Sequence, residues 1–233
     1  IKERRKAEIE TNAELAYKAS INALEKIEFD KNNVDLIIVA TMSNENRSPS
    51  IANLVQAKLG LNDKQVMAFD INAACSGFIY ALEVASTMLM TNKFKTALVI
   101  GSEKMTHIMD YTDRNTCILF GDGAGAMLIQ SSISKEDETF FYNDSKGDLE
   151  KVLYASTYLK MDGKKVFQFA TQIIPTAINK VLEYAKLELE QIDGFIFHQA
   201  NKRIIDHTVK SMGIDSSKVL INIDKDGNTS AAS

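Results

Sequence analysis

Cysteine is scarce in this chain: Cys75 and Cys117 are the two present, in unrelated contexts, which excludes a disulfide framework or a thiolate metal cluster. That usage fits a reducing, intracellular compartment. Basic charge is not in excess either. Lys and Arg number 27 against 31 Asp and Glu, a formal net charge of -4, which argues against a general nucleic-acid binder while leaving room for a local basic patch. A membrane-length apolar run is lacking as well: the stretch after Cys75 is broken by Glu83 and ends at Asn92 and Lys93, so it reads as a buried helix. No signal peptide is visible, and the expected location is cytoplasmic. The chain starts at Ile1 without a methionine and stops at Ser233 inside a turn pattern, as a piece of a longer protein would.

What is present is an ordinary globular composition, 45% hydrophobic and 25% charged over 233 residues, enough for one large domain or two packed halves. Thr11 to Lys26 has helical spacing, with Thr11 and Glu14 placed for a capping box. Val34 to Ala40 is an apolar run rich in β-branched residues without clean alternation, the pattern of a strand buried on both faces. A polar loop leads to a helix from Ile51 to Leu59, closed by Gly60. Strands are expected at Val66 to Ile71 and Ala97 to Gly101. The segment from Ser131 to Asp148 is polar and acidic and reads as an exposed excursion. Beyond it, Val152 to Tyr158 predicts a strand, Val166 to Tyr184 a helix interrupted or kinked near Pro175, and Ile192 to Phe197 a strand. A helix from Lys202 to Met212 ends at Gly213, and Lys218 to Ile223 is the last complete strand.

The chemistry centres on Asp70-Ile71-Asn72-Ala73-Ala74-Cys75-Ser76-Gly77-Phe78: a strand, a turn of small residues, and a thiol at a helix start. Unpaired backbone N–H groups and the helix dipole favour thiolate there. Gly77 leaves space beside the sulfur. The competing reading is that Cys75 is a small core residue.

The halves echo one another. At an offset of about 158, Leu24, Glu25, Val34 and Asp35 match Leu182, Glu183, Ile192 and Asp193; at about 153, Lys58 to Leu61 match Ser211 to Ile214, and Val66 matches Val219. Cys75 then falls on Asn228, and His198 follows a neighbouring strand. Two such halves place their strand ends around a shared crevice. There a cysteine, a histidine and an asparagine serve either as acyl carrier and activating base or as nucleophile and oxyanion hole. Alone, His198 is equally a locally satisfied strand-end residue, and Asn228 equally turn chemistry.

Arg203, His207 and Lys210 share a helix face, with Lys202 nearby, either a docking patch for an acidic partner or a solvated surface. His107, Asp110 and Asp113 have no metal-ligand spacing, so no metal is assigned. Phe120-Gly121-Asp122-Gly123-Ala124-Gly125-Ala126 lacks the Lys-Ser/Thr pair of a phosphate loop and reads as close backbone packing.

Four stretches together, those around Cys75 and Gly121, His198-Gln199-Ala200-Asn201 with Arg203, and Gly227-Asn228-Thr229-Ser230-Ala231-Ala232-Ser233, resemble the signatures of the beta-ketoacyl-acyl-carrier-protein synthase III family over essentially the whole chain. The resemblance implies a thiolase-like α/β fold, five layers α-β-α-β-α built from duplicated halves, here 1–145 with the cysteine and 146–233 with the histidine and asparagine, the second incomplete at its end. It implies a homodimer without cofactor, acyl-CoA being a substrate, and no nucleic-acid or membrane partner. By the same resemblance, Cys75 would take the acyl group from a short acyl-CoA; malonyl-acyl carrier protein would then lose carbon dioxide with His198 and Asn228 stabilising the enolate, and the carbanion would attack the acyl-Cys75. The resemblance also implies that Arg114 contacts the CoA adenine, that Phe167 lines the substrate channel, and that Arg203 with Lys210 belongs to the carrier-protein patch, which Lys202 adjoins. Ser48, before Pro49, stands where the family often has an aromatic residue closing the acyl pocket, which implies an altered acyl preference. Asp226 likewise replaces an aromatic residue. Two alternatives stay open: a related condensing enzyme or acyltransferase of specialised metabolism, and a catalytically silent scaffold.

Overall fold

The computed structural model describes residues 1–131 and 138–233, which group into two compact bodies. The first holds residues 5–107, 121–131 and 229–233; the second holds residues 1–4, 108–120 and 138–228. Of the expected polar excursion at 131–148, residues 132–137 lie outside the described residues, and the rest is mostly exposed.

In the first body, helix α1 (Asn12–Lys26) starts at the capping box: the Thr11 hydroxyl accepts from Glu14 N, and the Glu14 carboxylate accepts from Thr11 N at 2.8 Å. Strand β1 (Leu36–Ala40) is buried at every residue. The reason is its central place. Ile37 and Val39 face α1 and helix α2 (Ile51–Lys58), while Leu36, Ile38 and Ala40 face helix α3 (Gly77–Met90). Strand β2 (Met67–Ile71) pairs parallel to one edge of β1 and strand β3 (Thr96–Lys104) parallel to the other. Strand β4 (Asp122–Gln130) closes the order β2-β1-β3-β4 by running antiparallel to β3.

That last pairing corrects two expectations. β3 extends three residues beyond Gly101, because β4 continues the ladder as far as Lys104 opposite Asp122. The glycine-rich stretch is itself strand, with Gly125 opposite Gly101 and Gly123 opposite Glu103. Close packing applies at Gly123, where a Cβ would lie 3.1 Å from the Thr229 methyl, and not at Gly125, which faces open space.

In the second body, a hairpin of β5 (Leu153–Ala155) and β6 (Leu159–Met161) leads into α4 (Gly163–Ala185). The helix begins three residues early because Asp162 caps it, accepting from Lys164 N and Lys165 N at 3.1 Å, and it continues through Pro175. Strand β7 (Phe195–Ile196) pairs parallel with β8 (Val219–Leu220), and α5 (Lys202–Met212) lies between them in sequence. Each strand is shorter than expected, since only two ladder pairs form. Gly213, at φ 70°, ends α5 as anticipated. A four-residue helix α6 (Ile223–Asp226) occupies the end of the expected last strand. Helix, strand, helix, parallel strand thus recurs in both bodies.

Candidate active site

Cys75 lies in a 3-10 turn, Ala74–Ser76, between the end of β2 and the start of α3. The carboxyl ends of parallel strands are where α/β sheets bind ligands. Ala74 N donates to the Asn72 side chain at 3.2 Å, and Ala74 takes a left-handed backbone, φ 46°. Cys75 Sγ donates to Ser230 Oγ at 3.8 Å. Gly77 does not open space for a ligand. A Cβ there would meet Ala40 Cβ at 3.2 Å and Ala231 Cβ at 3.4 Å, so its smallness seats the turn on the sheet. At Gly101 any Cβ would collide with the Ala231 carbonyl.

The polar support of this turn escaped sequence reading. Glu103, near the end of β3, is fully buried. Its carboxylate accepts from the Ser43 hydroxyl, from Ser43 N at 3.1 Å, from Met42 N and the Thr41 hydroxyl at 3.2 Å, and from Ala231 N at 3.5 Å. The Ser230 side chain bonds it too. Burial pushes the Glu103 carboxyl above its ordinary value, and these donors pull the other way. Asp70, inside the cysteine motif, accepts from Ile51 N at 2.7 Å and Ala52 N at 2.8 Å and so holds the head of α2. Its carboxyl is also raised by burial, against those two bonds. Asp122 accepts from Ala7 N, Thr106 N and the Thr106 hydroxyl, each at 2.8 Å, which gives the acidic residue of the glycine-rich stretch a structural role.

Residues 229–233 rebuild the cysteine turn. Thr229 (φ -103°, ψ 28°) matches Ala73 (φ -134°, ψ 33°), Ser230 at φ 50° matches Ala74, and a 3-10 turn Ser230–Ala232 follows. Backbone geometry therefore pairs Asn72 with Asn228 and Cys75 with Ala231, correcting the sequence register that set Cys75 on Asn228. Three additional residues, accommodated where α6 forms, separate β8 from its turn and shift the match.

In the second body, His198 is half-buried just past β7 and Asn228 is buried. Asn228 N donates to Leu119 O at 2.9 Å and bridges to Phe120. Gly227 before it adopts φ 73°, ψ -163°, a region open essentially to glycine alone. Gln199 ties these segments together. Its Nε2 donates to Phe197 O at 2.9 Å and Leu220 O at 3.3 Å, and its Oε1 accepts from Asn222 N and Ile223 N at 3.1 Å. The motif contained Gln199, but only these long-range bonds show its purpose.

Phe167 and Arg203 meet: the guanidinium stands 5.7 Å from the ring centre, and His207 approaches the same ring edge-on at 6.1 Å. Lys202 instead turns to Asp206, at 2.6 Å. Lys210, Arg114 and Ser48 are exposed, and Ser48 precedes a cis proline. Asp110 and Asp113 close local turns with Thr112 and Asn115.

Two family models match the chain, 3-oxoacyl-[acyl-carrier-protein] synthase III over residues 69–147 and its C-terminal region over residues 182–233. Beta-ketoacyl-[acyl-carrier-protein] synthase III of Acholeplasma laidlawii is 51% identical over 233 residues, 100% of this chain and 75% of that protein. The Neorickettsia sennetsu protein of the same name is 44% identical over 236 residues, with the same coverage, 100% and 75%. The crystal structure of the Aquifex aeolicus synthase superposes with a TM-score of 0.94 at 44% identity, covering 99% of this chain and 75% of that one.

Proposed function

The chain belongs to the 3-oxoacyl-[acyl-carrier-protein] synthase III family, and we propose that it acts through Cys75 as nucleophile with His198 and Asn228 as oxyanion donors. Its fold is the thiolase-like α/β fold, and it is an acyl-transferring condensing enzyme that joins acyl-CoA to malonyl-acyl carrier protein at the start of fatty acid synthesis.

The placement of Cys75 carries the reading. A sulfur at the end of β2, in the turn leading into α3, sits at the positive end of that helix's dipole, which favours thiolate. The thiolate attacks the thioester carbonyl of a short acyl-CoA, and CoA departs as the thiol. Malonyl-acyl carrier protein then loses carbon dioxide, and the electrons of the broken carbon–carbon bond form a thioester enolate. His198 and Asn228 donate N–H groups to its oxygen. The enolate carbon attacks the acyl-Cys75 carbonyl and expels the Cys75 thiolate, giving 3-oxoacyl-acyl carrier protein.

The halves 1–145 and 146–233 carry the nucleophile and the oxyanion donors respectively. Arg114 contacts the CoA adenine, Phe167 lines the pantetheine channel, and Ser48 sits at the acyl pocket. Arg203 and Lys210 dock the carrier protein, with Lys202 a lesser contributor because Asp206 engages its ammonium. The enzyme works as a cytoplasmic homodimer with no resident cofactor, acyl-CoA being a substrate. Among the described residues, no helix is long and apolar enough to cross a membrane.

Intact mass after incubation with acetyl-CoA tests the nucleophile: an acetyl adduct forms and is lost in Cys75→Ala. Persistence of the adduct in that variant refutes the assignment. Carbon dioxide release from malonyl-acyl carrier protein falls in His198→Ala and Asn228→Ala; unchanged release removes them from the oxyanion hole.

A further inference from the structure

Glu103 is a fully buried carboxyl for which the reaction above has no use. It is linked to the nucleophile by one side chain. Ser230, itself inaccessible to solvent, bonds Glu103, and Cys75 Sγ donates to the Ser230 oxygen at 3.8 Å. A hydroxyl has one hydrogen to give, and the carboxylate takes it, so a lone pair of Ser230 is turned to the thiol.

We propose that Glu103 holds the proton released when Cys75 becomes a thiolate, with Ser230 as the bridge. The S–H bond breaks as its proton forms an O–H bond on Ser230, while the original Ser230 proton passes to a Glu103 oxygen. The negative charge moves from carboxylate to sulfur. Every hydrogen bond survives reversed, Glu103 O–H donating to Ser230 and Ser230 O–H donating to the sulfur. After thioester exchange the leaving CoA thiolate recovers the proton by the same path, and Glu103 returns to carboxylate. Glu103 acts through Ser230 and is a positioning residue.

The surroundings support a proton shared between two ends. Burial raises the carboxyl above its ordinary value, against the hydrogen bonds that lower it. The groups bonded to it, from Thr41–Ser43 and Ser230–Ala231, are neutral hydroxyls and N–H groups. The adjacent cation, Lys104, sends its ammonium to the Glu10 carbonyl at 2.7 Å.

The proposal rests on Cys75 as nucleophile, and the test separates the two. In a Cys117→Ser background, iodoacetamide alkylation of Cys75 is followed against pH. The parent shows two steps, as a coupled pair does. Glu103→Gln and Ser230→Ala each leave one step and lower the rate near pH 6 by roughly tenfold, the effect of one pKa unit, and Glu103→Asp restores part of it. A single step in the parent overturns the relay. So does a Glu103→Gln rate at or above the parent's, which is what removing a neighbouring negative charge does alone. If the variants fail to fold, infrared difference spectra of the parent decide: carboxylic acid absorption appears as thiolate forms, and its absence refutes the proposal. A normal acetyl adduct with an unchanged alkylation profile refutes only the relay, whereas absence of the adduct from Cys75 refutes the nucleophile assignment.

Discussion

Ala74 and Ser230 share one left-handed conformation, φ 46° and 50°, each heading a three-residue 3-10 turn at the end of an equivalent segment. Non-glycine residues pay about 1–2 kcal/mol for that backbone, so the surroundings must hold both turns in place. Gly101 is part of that hold. Gly101→Ala drives a methyl into the Ala231 carbonyl and is expected to cost about 1–3 kcal/mol, as overpacking does, with loss of acyl transfer. Ala74→Gly relaxes the strain at a smaller entropic cost and should be neutral or gain up to about 1 kcal/mol. Urea unfolding monitored beside adduct formation checks both.

Glu103 gives stability a pH signature. Its folded pKa lies above the ordinary value of 4.5, so its contribution is fully present below that value and is lost as pH rises through the raised folded value. Glu103→Gln lacks this dependence. The melting temperature of the parent minus that of the variant should therefore be largest in acid and shrink as pH rises; a flat difference contradicts the shift.

Asp70 holds α2 by its first two N–H groups. Asp70→Ala should cost about 1–2 kcal/mol, the range for losing a helix cap, while Asp70→Asn keeps an acceptor and loses less. Chemical denaturation at neutral pH reads the difference.

Gln199→Ala removes a partner from four backbone groups, of which Ile223 N is buried and the other three part-buried, and should cost about 1–3 kcal/mol. Because those groups belong to the segments that carry His198 and lead to Asn228, carbon dioxide release should fall further than Cys75 acetylation. Equal losses in the two assays argue for a general folding defect.

Local chemistry was legible in the sequence. Thr11 and Glu14 announce α1, the apolar run rich in β-branched residues announces β1, and Gly60 and Gly213 stop their helices with φ of 74° and 70°. The strand, turn and helix around Cys75 were also readable, because each depends on neighbours in sequence. Asp70, Glu103, Asp122 and Gln199 were not. Their partners come from distant segments, and a carboxylate bonded to N–H groups looks no different in sequence from one in water. The Cys75 register failed for another reason: identity matches slide across an insertion, whereas a left-handed residue marks one position in the turn.

β1 has a strand on each side and a helix layer on each face, and β4 doubles the full length of β3. Local fraying does not reach such amides, so hydrogen exchange from β1 and central β3 should require opening of the whole first body. The Cys75 turn follows β2, which pairs along its whole length with β1, so its geometry should persist through local fraying elsewhere in that body.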